Sequence, residues 1–177
     1  MNYIFSAIFL YFFLGFLLYI FQRRIVFNKS GHPGAPKDYN LDNTEEVYIK
    51  TEDNLKLLSW YHKGNNSLPL LVYFHGNSFH IGDRAYRIQK YIEKNWSVLL
   101  VSWRGFGGNK GNPTEKNLYK DAEAVLKWIK NNTEFKFKEL VIYGESLGSG
   151  AAVEMGTKYE FLSIVLEAPF TSINDIA

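Results

Sequence analysis

The fold is decided by the segment Val141-Ile142-Tyr143-Gly144-Glu145-Ser146-Leu147-Gly148-Ser149-Gly150. Its apolar first part predicts a buried strand over residues 140–143, and residues 149–158 can form a helix. Gly144 and Gly148 each stand two positions from Ser146, which fits the G-x-S-x-G nucleophile elbow, a tight turn between a strand and a helix. We therefore predict that this turn lifts the Ser146 hydroxyl clear of the sheet.

The elbow pattern has a steric and an electrostatic reason. A Cβ atom at either glycine would collide with the neighbouring strand or helix. The helix points its free N–H groups at the serine, so the Leu147 amide can donate to a developing oxyanion. The alternative is a glycine-rich turn in which Ser146 has no chemical role, and the strand–turn–helix context favours the elbow.

Composition indicates a globular chain. Of the 177 residues, 46% are hydrophobic and 21% are charged, which excludes a disordered protein. The net charge of +2 gives no strong electrostatic case for nucleic acid or acidic partners. Cysteine is absent, which excludes disulfides, thiol catalysis and Cys-ligated metal, and leaves the redox compartment undecided.

The N-terminal segment, residues 3–21, contains no charged residue. As a helix it would span about 28 Å, close to the thickness of a bilayer core. Arg23 and Arg24 follow it, whereas a signal peptide has basic residues before its apolar run and small residues at its end. We therefore predict a transmembrane helix over residues 3–21, rather than a signal peptide or a buried core helix.

The basic residues after this helix predict its orientation. Arg23, Arg24 and Lys29 place the following domain on the cytoplasmic side by the positive-inside rule. The chain is then predicted to be a single-pass membrane protein, with a linker over residues 22–44 and a folded domain over residues 45–177.

The domain alternates strands and helices. The predicted strands cover residues 46–51, 55–62, 70–74, 98–103, 140–143 and 163–166. The first two strands form a hairpin that turns at Asp53-Asn54. Helices are predicted over residues 82–94 and 149–158. A further helix is predicted to begin after Asn112, which serves as its N-cap, with Pro113 at the first helical position. This order predicts an α/β protein with a mostly parallel sheet and flanking helices, whose sites lie at the carboxyl ends of the strands.

Several motifs in this order carry a resemblance. They are residues 51–54 (Thr-Glu-Asp-Asn), 73–77 (Tyr-Phe-His-Gly-Asn), 103–107 (Trp-Arg-Gly-Phe-Gly), 118–122 (Leu-Tyr-Lys-Asp-Ala), the elbow, and 167–172 (Glu-Ala-Pro-Phe-Thr-Ser). With the N-terminal anchor, they resemble the α/β-hydrolase superfamily, in particular its branch of single-pass membrane-anchored serine hydrolases. The resemblance runs from about Tyr3 to the last residue, and its order and spacing are more specific than the elbow alone.

The resemblance implies a role for each matching residue. Ser146 would be the nucleophile that forms an acyl-enzyme, Leu147 would give one oxyanion donor, and Asn77, or Ser78 next to it, would give the second. The reaction would be hydrolysis of an ester, thioester or amide without metal or organic cofactor, and an anchored domain suggests lipid or acylated-protein substrates. The backbone shape of the site would depend on Gly76, Gly144 and Gly148.

Four histidines precede Ser146, and we predict structural positions for them. His75 is expected to hold the oxyanion loop rather than to act as base. His80 is expected at a helix start, His62 at a strand end and His32 in the linker.

Arg104 opens a glycine-rich loop. It could bind an anionic substrate, but packing beside the elbow is more typical of such a loop. The loop is not a P-loop, because the sequence contains no G-x-x-x-x-G-K-[ST] pattern. It is not a G-x-G-x-x-G fingerprint either, because Lys110 stands in the place of the third glycine.

The triad acid and histidine cannot be found in the sequence. The fold requires the order Ser, then Asp or Glu, then His, and no histidine follows Ser146. Asp175 is the only aspartate after the elbow and is expected at a helix start. We expect the domain to be truncated after its sixth strand, prone to aggregate and nearly inactive as given.

Three explanations would account for the missing acid and histidine. The sequence is a fragment of a longer protein, or the gene is split and a C-terminal polypeptide complements it. The third explanation is a non-catalytic membrane-anchored remnant or interaction protein of the same fold. An Asp and a His downstream of Ala177 would favour the enzyme, and a genuine stop there would favour the remnant. A peptidase of this fold usually carries an additional propeller or large lid domain, for which this chain has no residues.

Overall fold

The computed structural model describes residues 2–26, 28–29 and 31–170, so Asp175 lies outside the described part. Its helices are α1 (Asn2–Val26), α2 (Ala85–Ile92), α3 (Glu115–Asn132) and α4 (Leu147–Lys158). Its strands are β1 (Asn28–Lys29), β2 (Thr44–Lys50), β3 (Lys56–His62), β4 (Leu70–Phe74), β5 (Ser78–Phe79), β6 (Ser97–Val101), β7 (Leu140–Glu145) and β8 (Ser163–Glu167). Short 3-10 helices cover Pro36–Tyr39, Ile81–Arg84 and Phe137–Glu139.

The main sheet has six strands in the order β2-β3-β6-β4-β7-β8. Strands β6, β4, β7 and β8 run parallel, and β3 is antiparallel to both of its neighbours. In register, Val72 lies between Leu99 and Ile142. The prediction of an α/β domain with a mostly parallel sheet is confirmed.

Strand β4 is buried on both faces. Leu70, Val72 and Phe74 belong to the apolar cluster that includes α3 and α4, and Leu71 and Tyr73 belong to the cluster that includes α2. Helices therefore cover both sides of the sheet centre, which explains why this strand is a continuous apolar run rather than an alternating one.

The start of α3 differs from the prediction. Asn112 is not the N-cap, because Thr114 fills that position and its hydroxyl accepts a hydrogen bond of 3.2 Å from the backbone N–H of the third helical residue. Pro113 is buried instead against the turn at Gly105, where an added Cβ would lie 2.7 Å from the proline ring. Tertiary packing of the proline thus displaces the helix start along the chain.

Part of the predicted linker packs on the domain. Pro36 and Leu41 are buried, and the Tyr39 ring lies 5.4 Å from the ring of Trp60 on the α2 side of the sheet. The Tyr39 hydroxyl also donates a hydrogen bond of 2.6 Å to the carbonyl of Pro33. The chain is therefore attached to the sheet before β2 begins.

Helix α1 contains an apolar segment, Tyr3–Phe21, that is long enough to cross a membrane. None of this segment is buried against the rest of the described chain. It therefore fits a membrane anchor, although a signal sequence would share these two properties.

Arg104 is 2% exposed and is bound by two carboxylates. Its Nε donates to Asp121 at 2.8 Å and its Nη1 donates to Asp53 at 2.7 Å. The backbone N–H of Arg104 also donates to Asp121 at 3.0 Å. The guanidinium thus joins the β2–β3 turn, the loop after β6 and α3. Arg104 therefore has a packing role, but the partners of its side chain lie on the β2–β3 turn and α3 rather than at the elbow, where the sequence analysis expected the loop to pack.

We predict that Asp121→Asn lowers the free energy of unfolding by about 3–5 kcal/mol, because it removes the buried carboxylate from the buried Arg104 guanidinium and leaves the exposed Asp53 as the remaining charge partner. Chemical denaturation of the full chain in detergent micelles measures this loss. The control is Glu123→Gln on the same helix, which removes a surface carboxylate and should change stability little. Equal losses in the two variants would contradict the prediction.

We predict a pH dependence for Asp53. Hydrogen bonds from Arg104 and Thr51 lower the pKa of its carboxyl. The unfolded state therefore takes up this proton first as the pH falls, so the stabilisation is present above pH 4 and is lost below about pH 4, the ordinary aspartate pKa. The difference in unfolding free energy between the wild type and Asp53→Asn should shrink as the pH is lowered below about 4. The difference between the wild type and Glu52→Gln, a change at the exposed neighbouring residue, should stay small at every pH.

Candidate active site

Ser146 occupies a strained turn between β7 and α4. Its φ of 46° and ψ of −111° lie in a region that non-glycine residues rarely adopt, at a cost on the order of 1–3 kcal/mol. Its N–H donates to the carbonyl of Glu167 at 2.8 Å, and its carbonyl accepts from the N–H and hydroxyl of Ser149 at 2.8 and 2.6 Å. The end of β8 and the first turn of α4 therefore hold the strained residue in place.

The glycines on either side of Ser146 allow a close approach of backbone to backbone. A Cβ at Gly148 would lie 2.0 Å from the carbonyl oxygen of Phe74, and a Cβ at Gly144 would lie 2.7 Å from the Cα of Ser149. No side chain fits at either distance, so α4 can begin directly against the end of β4 only with glycine. This is the steric requirement that the motif predicts.

The loop after β4 lies beside this turn. Phe74 pairs with Gly144, so residues 75–78 and residues 145–148 leave the sheet next to each other. Gly76 is buried, and a Cβ there would lie 3.0 Å from a carboxylate oxygen of Glu145. The loop that contains Asn77 and the N-terminus of α4 at Leu147 thus share one edge of the sheet.

An ion pair joins this loop to the elbow. Arg84 is 8% exposed, and its Nη2 and Nε donate to the Glu145 carboxylate at 2.8 and 3.2 Å. Its Nη1 donates to the carbonyl of Ser78 at 2.7 Å. The Arg84 side chain therefore connects Glu145, the residue before Ser146, to the loop after β4. These contacts set the distance between the elbow and that loop.

Burial alone would raise the pKa of Glu145, but hydrogen bonds from Arg84 and from the Tyr73 hydroxyl at 2.8 Å outweigh it and lower the pKa. Glu145 is therefore ionised at neutral pH. The sequence analysis did not identify Arg84, because its partner Glu145 is 61 positions away and no local pattern connects them.

A second pair of groups extends this network along the sheet. The rings of Tyr73 and Tyr143 stack with centroids 4.7 Å apart, and the Tyr143 hydroxyl donates to Glu167 at 2.7 Å. Burial and this carboxylate raise the pKa of Tyr143 to about 12. Arg87 forms an ion pair with Glu167, so polar contacts link α2 to the carboxyl ends of β4, β7 and β8.

His75 belongs to the wall of the loop. It is fully buried, its Nδ1 donates to the carbonyl of Gly76 at 2.6 Å, and Trp103 donates to its carbonyl at 2.8 Å. Burial lowers the pKa of His75 to about 4, so the ring is neutral. As predicted, the residue holds the loop, and no hydrogen bond joins a histidine to the Ser146 hydroxyl in the part of the chain that the structure describes.

The other three histidines lie where the sequence predicts. His80 precedes the 3-10 helix Ile81–Arg84, and His62 ends β3. His32 lies before the domain and accepts a hydrogen bond from the N–H of Gly34. Within residues 2–26, 28–29 and 31–170, no group of three or more metal-binding side chains is placed to hold an ion.

Comparison with known families agrees with this geometry. The family model described as serine aminopeptidase, S33 matches residues 66–177, which is more than half of the chain. The chain belongs to the serine aminopeptidase S33 family. The match includes the loop after β4, the elbow and β8 but begins after the apolar helix and the β2–β3 hairpin.

Two curated relatives and one solved structure extend this result. An uncharacterized protein of Mycobacterium tuberculosis is 31% identical over 92% of this chain and 59% of its own length. The lysophosphatidylserine lipase ABHD12 of Danio rerio is 28% identical over 80% of this chain and 44% of its own length. An esterase from Pyrococcus furiosus, 28% identical, superposes with a TM-score of 0.67 over 80% of this chain and 58% of that one.

The chain has the α/β-hydrolase fold of its structural neighbours. The chain spans about half the length of the curated relatives that it matches, from 44% to 59% in the two proteins compared.

We predict that Gly148→Ala destabilises the domain by about 1–3 kcal/mol or more, because its methyl group would meet the Phe74 carbonyl. Gly150→Ala is the matched control in the same helix, since nothing lies within 4 Å of its Cβ position. It should be neutral or stabilise by up to about 1 kcal/mol. Denaturant titration of both variants of the 177-residue chain measures the contrast in stability, and similar values for both would show that the close approach does not exist.

Proposed function

We propose that this chain carries the nucleophile and oxyanion elements of a serine hydrolase that cleaves an ester, thioester or amide through an acyl-enzyme on Ser146. The observation that carries the proposal is the strained conformation of Ser146, φ 46° and ψ −111°, at the junction of β7 and α4. Hydrolytic activity in the names of the lipase and esterase relatives supports the same reaction class.

The proposed chemistry uses each element in turn. The Ser146 hydroxyl oxygen attacks the substrate carbonyl carbon as a histidine takes its proton, and the N–H groups of Leu147 and Asn77 stabilise the resulting oxyanion. Collapse expels the alcohol, thiol or amine, which leaves with that proton, and an acyl-enzyme remains. Water, deprotonated by the same histidine, then releases the acid and restores the serine.

We propose that the histidine and the triad acid come from polypeptide that covers β8, either a continuation of the chain or a second molecule. In the described sheet, β8 pairs with β7 and its other edge is open. Ile164, Val165 and Leu166 on this strand are each 38–39% exposed, although strands of parallel sheets are usually buried on both faces. A further parallel strand would bury them and would end at the same edge as Ser146.

We also propose that α1 anchors the protein in a membrane by a single span, with the domain on the cytoplasmic side. The unburied apolar segment Tyr3–Phe21 and the basic residues Arg23 and Arg24 after it support this arrangement. The substrates would then be lipids or acylated proteins, and the lipid named for the Danio rerio lipase belongs to the first class. A non-catalytic membrane-anchored protein is the alternative.

The decisive experiment labels the native protein in its own membranes with a fluorophosphonate, which modifies activated serines. We expect the label on the tryptic peptide of residues 139–158, and its loss in Ser146→Ala. The intact mass of the labelled protein shows whether it exceeds the 20.5 kDa of these 177 residues. A native protein that is folded but not labelled at Ser146 would refute the enzyme and favour the non-catalytic alternative.

The 177-residue chain by itself provides the complementary measurement. Without a histidine base, Ser146 remains an unactivated alcohol, so hydrolysis of an activated ester should not differ between the wild type and Ser146→Ala. A monomeric preparation whose hydrolysis depends on Ser146 would show that the base lies within these residues.

A further inference from the structure

The segment after α1 pairs with the oxyanion loop. Strand β1 begins two residues after the last residue of α1, Val26, and it runs parallel to β5, with Asn28 opposite Ser78 and Lys29 opposite Phe79. Strand β5 follows Asn77 directly. The connection between the apolar helix and the domain is therefore attached to the loop that is proposed to donate to the oxyanion.

This pairing limits how far the loop can lie from a membrane that contains α1. From the end of the apolar segment at Phe21, five helical steps rise about 7.5 Å, and two extended steps to Asn28 add at most about 7 Å. The partner strand lies about 5 Å further away. Ser78 therefore stays within about 20 Å of the hydrocarbon boundary and Phe79, one extended step further, within about 23 Å, whatever the direction of the chain.

Exposed aromatic side chains occur at this place. Phe79 is 53% exposed and follows Ser78 directly, and Tyr86 is 61% exposed and comes two residues after Arg84, which donates a hydrogen bond to the Ser78 carbonyl. Outside α1, the only other aromatic residue so exposed among those that the structure describes is Tyr48, on the edge strand β2. Tyrosine is enriched where proteins meet the headgroup layer, because its ring is apolar and its hydroxyl is polar, and phenylalanine occurs on the apolar faces of membrane-bound segments.

A cation accompanies these aromatics. The Arg87 guanidinium lies 5.7 Å from the Tyr86 ring centroid, and its side chain is 32% exposed although it is paired with Glu167. Arginine and aromatic side chains together are suited to the phosphate and glycerol layer of a bilayer. A lipid surface offers both the apolar and the anionic groups that suit these side chains.

We propose that the surface around Phe79 and Tyr86, at the loop that pairs with β1, rests on the bilayer that holds α1, so that the oxyanion loop faces the membrane. This proposal rests on the membrane anchoring proposed above and adds the contact that fixes the domain against the lipid. It assigns β1 a positioning role, because the strand couples the anchor to residues 77–79. A substrate held in the bilayer by its acyl chain would meet the site at the membrane surface.

The test uses the absence of cysteine in the chain, since an introduced cysteine is then the only thiol. The variants Phe79→Cys, Tyr19→Cys and Lys138→Cys of the full chain are labelled with an environment-sensitive fluorophore in phosphatidylcholine vesicles. Nitroxide-bearing phosphatidylcholine is the quencher. Lys138 is the matched control, because its side chain is 72% exposed and precedes β7, at the end of the sheet opposite to the elbow.

We expect the label at residue 79 to be quenched several times more strongly than the label at residue 138, and the label at residue 19 to be quenched as well. Quenching at residue 19 with no difference between 79 and 138 would overturn the contact proposed here and leave the anchoring intact. No quenching at residue 19 would refute the anchoring itself, and with it this proposal.

A cross-linking measurement tests the pairing of β1 independently. The double variant Asn28→Cys, Ser78→Cys should form a disulfide under mild oxidation, because the two residues are in register. Lys50→Cys, Lys56→Cys, an exposed register pair of the β2–β3 hairpin, reports that the domain is folded. Cross-linking of the hairpin pair without cross-linking of residues 28 and 78 would overturn the proposed role of β1.

Discussion

The contact on which the rest of the site depends is the approach of α4 to the end of β4. A Cβ at Gly148 would stand 2.0 Å from the Phe74 carbonyl oxygen, so only glycine lets the helix begin there. Because the helix begins so close to the sheet, the chain between β7 and α4 must turn within one residue. That residue is Ser146, and its backbone strain is the consequence of this close packing.

Buried charges then set the geometry on either side of this contact. Arg84 fastens the loop after β4 to the residue before Ser146, and Arg104 fastens the β2–β3 turn to α3. Buried ion pairs contribute little net stability against an apolar alternative, but removing one partner is costly. Their role here is to position backbone segments, which explains why both arginines contact loop residues rather than pack only within helices.

The described sheet is covered unevenly. Its centre at β4 and β6 is buried by helices on both faces, whereas β8 leaves apolar side chains exposed. The proposed nucleophile and oxyanion donors belong to the covered part, on β4, β7 and α4. An α/β-hydrolase takes its acid and histidine from later in the chain. The polypeptide that we propose to lie over β8 would account both for the open edge of this strand and for the lack of a histidine after Ser146 in these 177 residues.

The sequence by itself determined the elements whose signals are local. Continuous apolar runs predicted β4 and β6, and glycine spacing predicted the turn at Ser146, because burial on two faces and the absence of Cβ atoms leave direct traces in composition. Only the tertiary structure decided that Thr114 rather than Asn112 caps α3, that Arg84 binds Glu145 and that β1 pairs with β5. Each of these features depends on a partner that the fold brings close. Arg84 and Glu145, and likewise β1 and β5, are about fifty or more positions apart in the chain, and no local pattern encodes such a contact.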